Sequence, residues 1–268
     1  MKLDAAQRSS QSQFDKQSRC YGHSHILADV SDLERLFDQP PIASVSTRGR
    51  ALDVAAGGGH TSVFLALRGW DVTACDISSE MLSRTKELGA ERGLKISTCQ
   101  HAAEVLPYED ATFSIVTCRV AAHHFTNTHA FLKEVSRVLR PGGYFVLIDG
   151  SIPDGNPEAE EWMHKVEKLR DPSHGKFLSP AAWKSLCHGA GLRVLSCQVA
   201  DFKQPDIAWY FETAATSQEN RAQVLDLIAK APESARLAFR LAEADGKTVW
   251  WWLRMELVAE KAVVETDA

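Results

Sequence analysis

Several things are scarce in this chain, and each shortage closes off a class of function. There are six cysteines in 268 residues, and none forms a C-x-x-C pair. That spacing argues against a zinc knuckle or a thioredoxin-like redox site. Cys75, Cys99 and Cys118 sit in apolar, strand-like runs and read as small core residues, so no metal site is expected. Basic charge is in deficit: 30 Lys and Arg against 35 Asp and Glu leave a formal charge of -5. Nucleic acid and anionic membranes ask for a basic surface, so neither is an expected partner. Long apolar runs are missing too. The longest, 145–148 and 249–253, are strand-sized, far short of a membrane span. The opening residues Met1-Lys2-Leu3-Asp4 lack the apolar core of a signal peptide, and a cytoplasmic protein is expected. Internal repeats and low-complexity tracts are absent.

What remains is an ordinary globular composition, 44% apolar and 24% charged, on a length that buries a large core. In the first 45 residues Ile26, Val30, Leu33, Leu36 and Phe37 recur at helical spacing, and Pro40-Pro41 ends the segment. From residue 50 the pattern alternates. Strands are expected at 50–55, 71–75, 95–99, 113–118 and 144–149, with helices near 60–68, 79–89 and 128–139. Ser79 is the expected cap of the second of these helices. The third is amphipathic, with Phe131, Leu132, Val135, Val138 and Leu139 on one face. Strands alternating with helices imply right-handed crossovers and a parallel sheet. After Asp149 the rhythm changes. A Gly/Pro-rich loop leads to helices at 158–169 and from Ser179-Pro180, a strand at 192–199, a helical stretch over 205–244 and a last strand over 248–257.

The richest segment is a glycine turn, Asp53-Val54-Ala55-Ala56-Gly57-Gly58-Gly59-His60-Thr61, followed by a second apolar strand that ends in Asp76. Glycines let backbone approach a nucleoside cofactor, and an acid on the next strand accepts ribose hydroxyls. The turn reads G-x-G-x-x-S, and by itself it leaves a nicotinamide dehydrogenase and a methyltransferase unseparated. Asp53 favours the latter: an acid there welcomes a cationic ligand and repels a diphosphate.

Together the residues 53–59, Asp76, Ala103-Glu104-x-Leu106-Pro107 and Leu139-Arg140-Pro141-Gly142-Gly143 resemble class I S-adenosylmethionine-dependent methyltransferases. Within that class the chain is most similar to the ubiquinone/menaquinone-methyltransferase-like small-molecule group. The resemblance implies an α/β fold: a Rossmann-like, seven-stranded, mostly parallel sheet with helices on both faces and an antiparallel last strand. It also implies N-terminal helices as a flap over 1–45, a cofactor-binding core over 46–150, and a substrate lid with completion of the sheet over 151–268. S-adenosyl-L-methionine is the implied cofactor and a small molecule the implied partner. Asp53, Ala55, Gly57 and Gly59 would line its methionine half, and Asp76 would hold the ribose with Ile77 against the adenine. Ala103 and Glu104 would lie at the adenine edge, and Cys118 and Arg119 would close over the cofactor. Tyr21 would approach from the flap. Two departures are visible: Ala55 stands where the family usually has Gly, and Ala102 where it commonly has Asp.

For the acceptor side, His123 and His124 follow the fourth strand, where α/β sheets place ligands, and imidazole titrates near neutrality. Either histidine alone fits a core or orienting role as well as that of a base. Asp171 and His174 form a second pair in a Pro/Gly-bounded loop. They fit a base and its orienting acid, or a loop tied by its own hydrogen bonds. The expected activity is methyl transfer to O or C of a small acceptor. The alternatives are an NAD(P)-dependent oxidoreductase and a methyltransferase fold with a non-methylating function.

Overall fold

A computed structural model describes residues 3–18 and 26–263. Two strands form the centre of the sheet, and their residues are buried almost without interruption. These are β1 (Arg50–Val54) and β4 (Phe113–Arg119), which is buried along its whole length. β2 (Asp71–Asp76) and β3 (Ser97–Gln100) extend the sheet on one side. β5 (Leu139–Ser151) and β6 (Leu192–Lys203) lie on the other. The strand order is β3-β2-β1-β4-β5-β9-β6. β9 (Trp251–Lys261) inserts between β5 and β6 and runs antiparallel to both, so six strands are parallel and the last is reversed.

Helices cover both faces. α3 (His60–Leu67) and α4 (Ser79–Ala90) follow β1 and β2. α5 (Thr128–Val138) buries Phe131, Leu132, Val135 and Val138 and is capped by Asn127, whose side chain accepts the Ala130 N–H at 2.9 Å. Strand alternation divides the core in two. Leu52 and Val54 join Phe131 and Phe145 on one face, while Ala51 joins Phe64 and Leu65 on the other. α4 is capped by Ser78, one residue ahead of the expected Ser79, through the Met81 N–H. α7 (Pro180–Gly189) starts from the Ser179 cap with proline in its first turn, as its sequence predicts.

Beyond β5 the chain builds a third core. α6 (Pro157–Arg170) packs Trp162, Met163 and Val166 against Tyr210, Phe239 and Trp250. The stretch 205–244, expected to be helical throughout, is broken into α8 (Ile207–Thr213), α9 (Gln218–Ala229) and α10 (Glu233–Ala238). Asp206 and Ser217 cap new starts, and Pro232 opens the third helix. A hairpin of β7 (Ala242–Ala244) and β8 (Lys247–Val249) turns through Asp245-Gly246, both at positive φ. That pair is the standard two-residue hairpin signal, and it moves the start of the expected last strand from 248 to Trp251.

At the N-terminus α1 (Ala5–Gln17) opens with a capping box between Asp4 and Gln7, and α2 (Ser31–Phe37) follows. Among the described residues no helix is long and apolar enough to cross a membrane.

Candidate active site

Chain order reverses between β1 and β4, and a crevice opens at the carboxyl ends of such strands. A cavity of about 890 Å³ lies there. Its floor is the glycine turn. Ala55 and Gly57 both take left-handed backbone, φ 55° and 53°. For Ala55 that geometry costs about 1–2 kcal/mol. The turn is closed by Ala56 N–H donating to the Cys75 carbonyl (2.9 Å) and Gly59 N–H to the Ala56 carbonyl (3.0 Å).

The curl brings the Gly57 N–H to Asp76. The Asp76 carboxylate accepts it at 2.9 Å and the Ser78 N–H at 2.9 Å, one on each oxygen, leaving lone pairs for a ligand. Burial pushes this carboxyl up to about 6, against the lowering effect of those N–H donors. Ile77, Met81, Ala102 and Ala103 make an apolar slot beside it. His101 borders the slot; its Nδ1–H donates to the Ala102 carbonyl, so Nε2 accepts from the Tyr108 hydroxyl at 2.9 Å. Glu104 accepts from Gln7 Nε2 (3.0 Å) and the Thr126 N–H (2.9 Å).

α1 lies across this end. Gln7, Ser10 and Phe14 line the cavity, and Gln11 Nε2 donates to the Ile77 carbonyl at 2.9 Å. The opposite end is apolar, formed by Phe14, Leu27, Val120, Ala121 and Phe125 around His124. Val120 sits at φ 53°, a strained conformation for a β-branched residue, and its N–H donates to the Ile148 carbonyl.

His124 meets Phe14 edge to face at 4.9 Å. Its Nδ1 lies 3.1 Å from the Ser173 carbonyl and 3.2 Å from Ser173 Oγ. Burial, then the neighbouring His123, holds its pKa below the ordinary value.

Ala55, Gly57, Asp76, Ile77, Ala103, Glu104 and His124 therefore border one cavity. Asp53, Gly59, Cys118, His123, Asp171 and His174 do not. Asp53 lies beneath the floor, because strand alternation turns it toward α3. It is 1% exposed and accepts from Ser62 Oγ (2.6 Å) and Thr117 Oγ1 (2.9 Å). Burial pushes it up to about 6. Gly59 packs instead of lining: a Cβ there would stand 2.8 Å from Thr85 Cα on α4. Cys118 is a core residue, its thiol raised well above the ordinary range by burial.

Arg119 borders the cavity, but its guanidinium is committed elsewhere. It pairs bidentately with buried Asp32 of α2 (2.9 and 3.0 Å) and donates to the Leu27 and Asp29 carbonyls. It fastens the N-terminal segment to β4. Tyr21 lies outside the described residues.

His123 lies behind His124, ring centres 4.2 Å apart, with Nδ1–H donating to Asp149 at 2.6 Å. Burial opposes its charged form, yet Asp149, Glu167 and Asp171 outweigh burial and raise its pKa. His174 is 1% exposed, and its buried Nε2 finds no hydrogen-bond partner among the described residues. Burial, then the surrounding histidines, pushes its pKa down. Asp171 does not orient it. The Asp171 carboxylate accepts the Ser173 N–H (2.8 Å) and O–H (2.6 Å), which is the loop-tying arrangement.

Sequence reasoning missed Gln7, Ser10 and Phe14, which lie on a polar helix without apolar periodicity. It also missed Asp32, which is remote from Arg119 in the chain, and Asp149 and Ser173. An acid closing a buried strand was a usable signal for Asp149. Among the described residues no group of three or more His, Cys, Asp or Glu can hold a metal ion.

A methyltransferase-domain family profile matches residues 52–147. The uncharacterized methyltransferase YcgJ of Bacillus subtilis is 28% identical over 247 residues, covering 91% of this chain and 96% of that one. Its crystal structure superposes with a TM-score of 0.79 at 26% identity, over 87% of this chain and 99% of that one. The ubiquinone biosynthesis O-methyltransferase of Marinobacter nauticus is 30% identical over 182 residues, 62% of this chain and 75% of the relative. Geranyl diphosphate methyltransferase in complex with SAM shares the fold, with a TM-score of 0.62 at 18% identity over 87% of this chain and 86% of that one. The chain thus belongs to the methyltransferase-domain family of class I methyltransferases.

Proposed function

We propose that the protein transfers a methyl group from S-adenosylmethionine to oxygen or carbon of a small, neutral, partly apolar acceptor. The observation that carries this is the charge layout of the cavity. Two carboxylates, Asp76 and Glu104, border it, and its one Lys or Arg among the described residues is Arg119, already paired with Asp32. A dinucleotide's diphosphate has no cationic partner in such a cavity, whereas a sulfonium carries a positive charge. That weighs against the oxidoreductase alternative, as does membership of a methyltransferase family. A structural neighbour with a SAM complex points the same way.

Asp76 would accept the ribose hydroxyls, Gly57 would admit the ligand close to the backbone, and Ile77, Met81 and Ala103 would flank the adenine. When bound, the cofactor supplies a methyl group on a positively charged sulfur. The chain's own contribution is positioning, which is worth up to about 7–11 kcal/mol in favourable systems. Phe14, Leu27 and Phe125 exclude water at the acceptor end. His124, neutral, offers a ring nitrogen to an acceptor hydroxyl, and an acceptor carboxylate or phosphate has no counter-charge there. In this reading residues 1–45 act as the flap and 151–268 shape the acceptor side. The setting is cytoplasmic, with no nucleic-acid or membrane partner, in keeping with the acidic charge.

Calorimetry with S-adenosylhomocysteine and with NADH tests the cofactor: tight NADH binding with none of S-adenosylhomocysteine would refute the proposal. Methyl-labelled S-adenosylmethionine incubated with a metabolite extract tests transfer. Binding without label incorporation on any extract would favour a non-methylating role for the fold.

A further inference from the structure

The loop after α6 is clamped onto the histidine turn from several sides. Gly175 and Lys176 N–H both donate to the His123 carbonyl at 2.9 Å, and a Cβ at position 175 would stand 2.6 Å from that oxygen. Lys168 Nζ donates to the Pro172 and His174 carbonyls at 2.8 and 2.7 Å, and the His174 N–H donates to the Asp171 carbonyl. Inside this clamp Asp171 takes both Ser173 donors on one carboxylate oxygen.

The consequence falls on His124. A carbonyl oxygen can only accept, so the Nδ1 facing the Ser173 carbonyl must carry a proton. The Ser173 hydroxyl has one proton, and at 2.6 Å that proton goes to Asp171, leaving only lone pairs toward Nδ1. Both Ser173 oxygens therefore demand the same tautomer. Among the described residues no protein hydrogen bond reaches Nε2, so the ring atom left for a ligand is the one with the lone pair.

We propose that Asp171 and Ser173 are positioning residues that lock His124 in its Nδ1–H tautomer, so that Nε2 presents a lone pair to the acceptor's hydroxyl proton. This rests on the proposed function for its purpose, but the lock itself is a property of the protein alone. It assigns Asp171 a role through His124 and not through His174. It also fixes the polarity of the acceptor contact: the site recognises a hydrogen-bond donor, and a bare ether or carbonyl oxygen at that point is rejected because two lone pairs would face each other.

The test is nitrogen-15 NMR of the histidine rings in the full-length protein, with His124→Gln used to assign the signals. The wild type should show His124 with a protonated Nδ1 and a bare Nε2. In Asp171→Ala the Ser173 turn is released, and the single pattern should give way to a mixture rich in the Nε2–H form that free imidazole prefers. Asp171→Asn, which keeps a carbonyl acceptor for both Ser173 donors, should restore the wild-type pattern. A wild-type His124 protonated at Nε2, or an Asp171→Ala protein that keeps the Nδ1–H pattern, overturns the proposal. If Asp171→Ala does not fold, Asp171→Ser is read in its place, with the same loss expected. S-adenosylhomocysteine binding is measured on the same samples. An intact lock without cofactor binding refutes the functional reading alone, and binding without the lock refutes this inference alone.

Discussion

Replacing Asp76 by alanine is the most direct challenge to the cofactor assignment. The carboxylate already accepts the Gly57 and Ser78 N–H groups at 2.9 Å each, which fixes its orientation at the end of β2. A ribose diol would add two hydrogen bonds to a charged acceptor, each worth about 1.5–3 kcal/mol. Losing both removes about 3–6 kcal/mol, or roughly 10²- to 10⁴-fold in affinity for S-adenosylhomocysteine. The fold loses less. Gly57 borders the cavity, where water can reach its N–H, so about 1 kcal/mol is expected there, and about 1–3 kcal/mol for the N–H of buried Ser78. Relief of a carboxylate that burial penalises offsets part of that loss. Calorimetry measures the affinity, and a thermal melt shows that the variant is folded. The assignment also predicts a pH dependence. The diol needs the ionised carboxylate, whose pKa burial has pushed up to about 6. Affinity should hold above that pH and fall about tenfold per pH unit below it, and the slope should vanish in Asp76→Asn. A folded Asp76→Ala protein with unchanged affinity would refute the reasoning.

Four further substitutions test the framework around the site. Gly59→Ala combines φ 88° with a Cβ 2.8 Å from Thr85 Cα; about 2–5 kcal/mol should be lost in chemical denaturation. Gly155→Ala, at φ 70° with open space around it, should lose only about 1–2 kcal/mol, and equal losses would dismiss the packing role. Arg119→Met leaves buried Asp32 with the Leu33 N–H at 2.7 Å and, as its remaining ion-pair partner among the described residues, Arg254 Nη1 at 3.2 Å. Stability should fall by up to about 3–5 kcal/mol, and limited proteolysis should cut faster within residues 1–45; an unchanged cleavage rate would deny the fastening role. His174→Leu removes a buried ring whose Nε2 has no hydrogen-bond partner among the described residues. Melting at pH 7 should show a change within about 1 kcal/mol, and a larger loss would mean that this ring has a partner to satisfy.

The nucleoside half of the site was legible because its parts are consecutive and each obeys a local rule. Left-handed backbone at Gly57 and Gly59 calls for glycine, and an apolar period of two brings β2 to its end at Asp76. Period two also contains the reason Asp53 misses the cavity. It shares a face with Ala51, whose core lies under α3, so its carboxylate meets Ser62. Motif matching assigned that acid to the ligand, whereas strand geometry assigns it to the helix. Helix breaks in 205–244 were written in the Ser217 and Pro232 caps.

The acceptor half was hidden for a physical reason. On the proposed reading its walls are Phe14, Leu27 and the turn at 120–125, with the loop at Ser173 behind His124, segments brought together only by tertiary packing. Of its determinants, Arg119 with Asp32 and Asp171 with Ser173 and His124 are hydrogen-bond chains, and such chains leave no periodic trace in a sequence. Arg119 borders the cavity with its charge spent on Asp32, and of the two readings of Asp171 the hydrogen bonds to Ser173 match the loop-tying one. A cavity built this way can keep its cofactor end while its acceptor end is remodelled by changes in α1, α2 or the loop after α6. It follows that acceptor identity should track Phe14, Leu27 and residues 171–174 more closely than the glycine turn.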